Sequence, residues 1–225
     1  MAQMRKSDED LEEFPINSQD ADDIYDLTKV SYVNREPLCL GLHMSFEEFL
    51  PLLKEVFPPT FDSQVSFGMR EKSSGRLVAF MLSRILHPDA PDIFQEGGQE
   101  NEKANQYTKV LHDLCRDVDV FNKGRFKKQL ELQCLNVHPD YSKRGLAFKL
   151  IQMSEEKGRD VGCDVATIQA VNVVTDHIAE KMGYTTVKKT DVKTLTDASG
   201  RLLLDVEAVT EKAGTSHFNY FVKEL

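Results

Sequence analysis

Hydrophobic and polar positions change period repeatedly along the chain, and each change marks an element. Phe14 to Ile16 predicts a short first strand. Ile24, Leu27 and Val30 then recur at helical spacing, which predicts a helix capped by Asp20 or Gln19. "NREPLC" interrupts it, because Pro37 pushes Glu36 out of helical geometry. Ser45 followed by Glu48 is a capping-box pattern, and Phe46, Phe49, Leu50, Leu53 and Phe57 make the stripe of a second helix that Pro58 and Pro59 end. Val65, Phe67 and Met69 alternate, Lys72 to Gly75 reads as a turn, and Leu77 to Ile85 is a buried run, which together predict a β-hairpin. The polar insertion "HPDAPDIFQEGGQE" precedes a helix over about 103–121, with Val110, Leu111, Leu114 and Val118 on one side.

"KKQLELQCLNV" is the central strand. Leu130, Leu132 and Cys134 keep one parity, whereas Leu135 and Val137 keep the other. A β-bulge produces such a switch, and a strand buried on both faces tolerates it, so the pattern fits either. A helix from about Gly145 to Val161 carries Ala147, Leu150, Ile151 and Met153. "DVATIQAV", "YTTVKKTDV" and "HFNYFVKEL" read as strands, and "VTDHIAEKMG" as a helix stopped by Gly183. Strands and helices in mixed order predict an α/β (mixed α+β) domain around one central sheet. That domain spans residues 13–225, after a polar segment, 1–12, expected to be disordered.

The 225 residues suit one large domain or at most two small ones. Lys and Arg number 28 against 37 Asp and Glu, a net charge of −9, which argues against nucleic acid as the partner. No apolar run reaches the ~18 residues a membrane span needs. "MAQMRKSDEDLEEF" is too polar for a secretory signal, so a cytoplasmic protein is expected. Cys39, Cys115, Cys134 and Cys163 lack metal-ligand spacing and imply reduced thiols, with no disulfide framework and no metal. Nothing in the sequence fixes an oligomeric state, and a monomer is the default.

Candidate chemistry concentrates at "NVHPDYSKRGLAFKLIQ", where the central strand hands over to a helix. The first turn of a helix leaves backbone N–H groups unpaired at its positive end, which makes an anion site. Gly145 lets a ligand approach the backbone, and Lys143 and Arg144 add positive charge. A solvated basic turn holding a glycine fits the same three residues. Neither a Walker nor a Rossmann glycine pattern is present, so a pyrophosphate on a short loop is the better fit than ATP or a dinucleotide.

"SKRGLA" in this context resembles the acyl-CoA loop of the GNAT acetyltransferases, a Gln or Arg followed at fixed spacing by Gly and then Gly or Ala. Gly145 and Ala147 match the small positions, and Ser142 stands where the family usually has Gln or Arg. The order of elements is similar as well, and "NVVTDHIAEKMGY" looks like the family's closing pattern, with Asn172 matching the Asn that bonds the pantetheine arm. The resemblance covers roughly residues 14–225. It implies the GNAT fold, a central mixed sheet with a bulged strand and helices on both faces, and acetyl-CoA as cosubstrate. It also implies that Leu135, Asn136 and Val137 pair with pantetheine as an added strand. Lys143, Arg144, Gly145, Leu146, Ala147 and Phe148, entered through Ser142, would hold the pyrophosphate.

"YVNREPLCLGL" resembles the segment of insect-type arylalkylamine N-acetyltransferases whose Glu is the proposed general base; Glu36 matches it. Glu131 matches the strand Glu that serves as base in the histone-acetyltransferase branch. Where the vertebrate arylalkylamine enzymes have two histidines, this chain reads Glu131 and Gln133. The usual general-acid Tyr is replaced by Ala179. Of two serines in the insect-type branch, one position reads Val171 and the other Thr175, which would bond the sulfur or relay a proton; a helix N-cap also explains Thr175. His217 is a further pocket candidate, although a half-buried strand His fits it better. No His is spaced to activate Cys134, which favours direct transfer over an acyl-cysteine.

The resemblance therefore implies direct acetyl transfer from acetyl-CoA to the primary amine of a small arylalkylamine, of the serotonin, dopamine, tyramine or octopamine type. The helix residues Met44, Phe46, Phe49 and Phe57 fit either an aromatic pocket for that amine or ordinary core. A GNAT acting on a polyamine, amino acid or protein, or a non-catalytic acyl-CoA-binding module, remain alternatives.

Overall fold

The computed structural model describes residues 10–90 and 101–225. Residues 1–9 of the polar N-terminal segment and 91–100 of the insertion lie outside the described residues.

Seven strands form one sheet in the order β1-β2-β3-β4-β5-β7-β6. They are β1 (Leu11–Pro15), β2 (Phe67–Glu71), β3 (Leu77–Leu86), β4 (Gln129–Val137), β5 (Val165–Ala170), β6 (Thr185–Asp191) and β7 (His217–Glu224). Among the described residues only β4 and β5 pair in parallel. Before the hairpin come α1 (Ala21–Ser31), α2 (Pro37–Gly41), α3 (Phe46–Val56) and α4 (Pro58–Phe61). After it come α5 (Glu102–Cys115), α6 (Leu146–Asp160) and α7 (Val173–Lys181).

The sheet has a core on each face, as a two-sided α/β domain must. On one face α1, α3 and α5 supply Ile24, Leu27, Phe49, Leu53, Val110 and Leu114. On the other, α6 and α7 supply Leu146, Leu150, Ile151 and Ala179. Among the described residues no helix is long and apolar enough to cross a membrane.

Several boundaries differ from the sequence expectation for local reasons. The first strand begins at Leu11, whose side chain packs in the α6-side core while β2 takes its backbone bonds. The entry to α1 is capped by Asn17, which forms a capping box with Asp20 around a 3₁₀ turn, Ser18–Asp20. Val30, expected on the α1 stripe, is 58% exposed. Pro58 ends α3 and also opens α4, since proline is well placed in a first helical turn. The helix expected to reach residue 121 stops at Cys115.

Candidate active site

β4 and β5 pair from Gln129↔Val165 to Leu132↔Ile168 and then part. Against β3, the register steps from Leu82↔Cys134 to Ser83↔Leu132, which leaves Gln133 as the extra residue of a β-bulge. Leu130 and Leu132 therefore join the α6-side core, whereas Cys134 joins the opposite one. The parity switch falls at Gln133. Sequence pattern put it after Cys134 because a small apolar residue is buried on either face.

Beyond the bulge, Leu135, Asn136 and Val137 keep their β3 partners and have no β5 partner in the register. They wall a groove with Ala147, Asn172, Thr175 and Ile178, and with Val173 and Val174, 47% and 63% exposed. A strand edge facing a narrow slot is what an extended, amide-bearing chain can pair with. The Asn136 side chain points elsewhere. Its Oδ1 accepts from Ser31 Oγ at 2.9 Å and its Nδ2 donates to the Leu27 carbonyl at 3.3 Å, clamping α1 to β4.

Gly145 is the N-cap residue of α6 at φ +79°, and Lys143 is also left-handed at φ +59°. A Cβ built on Gly145 meets nothing within 4 Å, so the space before the α6 N-terminus is open to an anion. Arg144 lies over the Tyr141 ring at 5.3 Å. Phe148, on the first turn of α6, is 37% exposed. Ser142 plays a local part: its hydroxyl donates to the Pro139 carbonyl at 2.7 Å and fastens the turn.

Glu36 is the N-cap of α2, where its Oε2 accepts the Cys39 N–H at 2.6 Å. It is 5% exposed, and its Oε1 has no hydrogen-bond partner among the described residues. Burial pushes this carboxyl up to about 7, against the opposing pull of the Cys39 N–H. A carboxylate poised near neutrality with one free oxygen, lining the groove beside Tyr32 and Arg35, has the properties of a general base. Its helix is pinned from below: a Cβ on Gly41 would lie 2.6 Å from Val209 Cγ2.

The other carboxylate candidate is held apart. Glu131 sits across from Arg84 in the β3–β4 register, and the nearly buried Arg84 Nε donates to its Oε2. Among the described residues it lines neither the groove nor the two cavities beyond it. Thr175 and Asn172 do line the groove. The Thr175 N–H and hydroxyl both donate to Asn172 Oδ1, at 2.9 and 3.1 Å, which caps α7.

The groove leads inward. A middle cavity shares Leu135, Asn172 and Thr175 with it, and shares Gln133, Gln169 and Val171 with an inner cavity; Tyr32 lines all three. The inner cavity and the open space at its mouth together span about 520 Å³. Its walls are Phe49, Leu52, Leu53, Val56 and Phe57 around α3, and Tyr107 and Leu111 of α5. Phe49 stacks near-parallel on Tyr32 at 6.1 Å and tilts against Tyr107 at 5.0 Å.

Phe49 and Phe57 line the cavity and also belong to the core, whereas Met44 and Phe46 pack in the adjoining core alone. His217 is not among the lining residues and bonds Ser216 Oγ at 2.9 Å. Tyr32, Tyr107 and Gln169 were not foreseen. Their signal was available only in part: Tyr107 precedes Val110 and Leu111 at helical spacing on one face.

Cys134 reaches the inner cavity, but burial pushes its thiol up to about 12, so it is not a thiolate near neutrality. The acetyl transfer that the resemblance implies should therefore keep its rate within about threefold in Cys134→Ala, since removing a small side chain costs packing rather than chemistry. Intact-mass measurement of wild-type protein quenched during turnover should find no acetyl-protein; a stoichiometric acetyl adduct lost in Cys134→Ala would refute this.

Comparison with known proteins fits this geometry. Residues 63–184 match the acetyltransferase (GNAT) family. Arylalkylamine N-acetyltransferase 2 from Aedes aegypti superposes with a TM-score of 0.82 at 20% identity, covering 95% of this chain and 98% of that one. A mosquito arylalkylamine N-acetyltransferase-like 5b gives 0.84 at 16% identity, covering 96% and 100%. The Drosophila melanogaster polyamine N-acetyltransferase, which catalyses formation of N-acetylagmatine, gives 0.81 at 19% identity, also covering 96% and 100%. At these identities the structures share the fold. No curated protein sequence matches the chain significantly. The family match runs over more than half of the chain, from the β2–β3 hairpin through bulged β4 and the Gly145 joint to Tyr184, and the chain belongs to the GNAT family of acetyltransferases.

Proposed function

We propose that this chain transfers the acetyl group of acetyl-CoA directly to the primary amine of a small arylalkylamine. One observation carries the choice of amine. The inner cavity is walled by aromatic and aliphatic side chains, with Gln133, Gln169, Cys134 and two tyrosines as its polar groups and no Asp, Glu, Lys or Arg among its described lining residues. An aromatic ring is stabilised there by desolvation and by the Tyr32–Phe49–Tyr107 cluster. The second cation of agmatine or a polyamine would be buried there without a counter-charge, which costs several kcal/mol.

The steps follow from the residues along the path. The α6 N-terminus at Gly145 receives the pyrophosphate, and the free edge of Leu135, Asn136 and Val137 takes the pantetheine arm. This arrangement brings the thioester toward the bulge, at the mouth of the inner cavity. The incoming ammonium loses one proton to Glu36, and the free amine attacks the thioester carbon. A second proton leaves the nitrogen as the amide forms, matching the one the departing thiolate takes up. Glu131, engaged by Arg84, has no part in this scheme.

An amine panel tests the proposal. Tyramine and tryptamine are expected to have kcat/KM about 100-fold above agmatine and spermidine, the size expected when a second charge lacks a partner. Equal or faster turnover of agmatine would move the protein to a cationic-amine substrate. Acetyl-CoA binding without turnover of any amine would make it an acyl-CoA-binding module.

A further inference from the structure

We infer that the Gln133 Oε1 accepts one N–H of the acceptor amine where the inner cavity meets the middle one, and so aims the nitrogen lone pair. The inference rests on the acyl-transfer reading of this cleft. Gln133 is the bulge residue, without a partner in the β3 or β5 register. It lines both the inner and the middle cavity, which places its side chain at their junction. Its Nε2 donates to the Val56 carbonyl at 3.4 Å. That bond fixes the orientation of the amide, because a reversed amide would set oxygen against oxygen. The remaining atom, Oε1, is buried with no hydrogen-bond partner among the described residues. A desolvated acceptor in such walls is a standing cost that a bound N–H removes.

The chemistry needs such an acceptor. After Glu36 has taken a proton, a primary amine keeps two N–H groups and one lone pair. Rotation about its C–N bond sweeps the lone pair off the thioester carbon unless one N–H is held. A neutral amide oxygen holds it without favouring the ammonium, as a carboxylate in its place would.

Kinetics of Gln133→Leu and Gln133→Glu with tyramine and phenylethylamine, from neutral to alkaline pH, test this alongside acetyl-CoA affinity. Gln133→Leu is expected to lower kcat about 10-fold for both amines with acetyl-CoA affinity unchanged. Gln133→Glu is expected to lower KM, lower kcat and move the rate optimum to higher pH, because its carboxylate holds the amine protonated. That pH shift decides the matter if the Leu variant folds poorly. A Leu variant within about twofold of wild type overturns the inference alone. A loss confined to tyramine overturns it too, by putting the acceptor against the ring hydroxyl. Wild-type protein that acetylates neither amine overturns the acyl-transfer reading and this inference with it.

Discussion

Glu36→Gln is expected to lose about 10²–10⁴-fold in kcat/KM near neutral pH while keeping its affinity for acetyl-CoA. The amide retains the shape and can still accept the Cys39 N–H, so what is removed is the proton acceptor. Part of the rate should return as pH rises and free amine appears in solution. The same residue predicts an unusual stability profile. Its folded pKa is raised by burial from 4.5 to about 7, so between those values the native state binds the proton more tightly than the unfolded chain. Stability conferred by the protonated form is present at lower pH and is lost as pH climbs through about 7. The loss reaches roughly 3 kcal/mol, at about 1.36 kcal/mol per pKa unit. Urea unfolding at acid and neutral pH should show this slope in wild-type protein and a flatter one in Glu36→Gln. Glu131→Gln should behave in the opposite way. It weakens the pairing of the buried Arg84 guanidinium and costs up to ~3–5 kcal/mol of stability, with little change in rate. Near-wild-type rates for Glu36→Gln, together with pH-rescued loss for Glu131→Gln, would move the base to β4.

Gly145→Val should lower acetyl-CoA affinity by at least about 100-fold from an expected micromolar value, a loss of roughly 2.7 kcal/mol. Two effects combine. A β-branched residue is strained at φ +79°. Its side chain would also enter the open space before α6, the space a pyrophosphate needs to reach the helix N–H groups. The fold itself offers no clash there, so the protein should remain folded while binding fails. Gly145→Ala, with a smaller intrusion, should fall between. Titration calorimetry that finds Gly145→Val binding like wild type would remove the phosphate role from this joint.

Short-range grammar was well written in the sequence. Ser45 and Glu48 do form their capping box, and Glu36 before Pro37 is extended rather than helical, as the proline required. The one-residue parity slip in "LELQCLNV" is a bulge, as one of its two readings allowed. Long-range facts were not legible. Arg84 and Glu131 are far apart along the chain, and nothing local says that one neutralises the other. Nor does a lone Asn136 announce that its side chain reaches back to Ser31 and Leu27. Between Val192 and Ser216 no clear period is present, and the chain there is a 3₁₀ turn, a single bridge at Thr196↔Leu202 and a π-helical turn, Ala208–Lys212. Tyr32 lay hidden because a tyrosine just past a helix end reads as an ordinary half-buried residue until α3 and α5 close over it.

The Asn136 clamp divides labour within the molecule. Through Ser31 and Leu27 it fixes the end of α1, five residues before Glu36, to the very strand whose edge forms the groove. Glu36 and the groove thus hang on one frame, whereas Phe49, Leu53, Tyr107 and Leu111 of the inner walls belong to α3 and α5. Substitutions in those two helices can therefore reshape the inner cavity while the frame that holds Glu36 and the groove stays as it is.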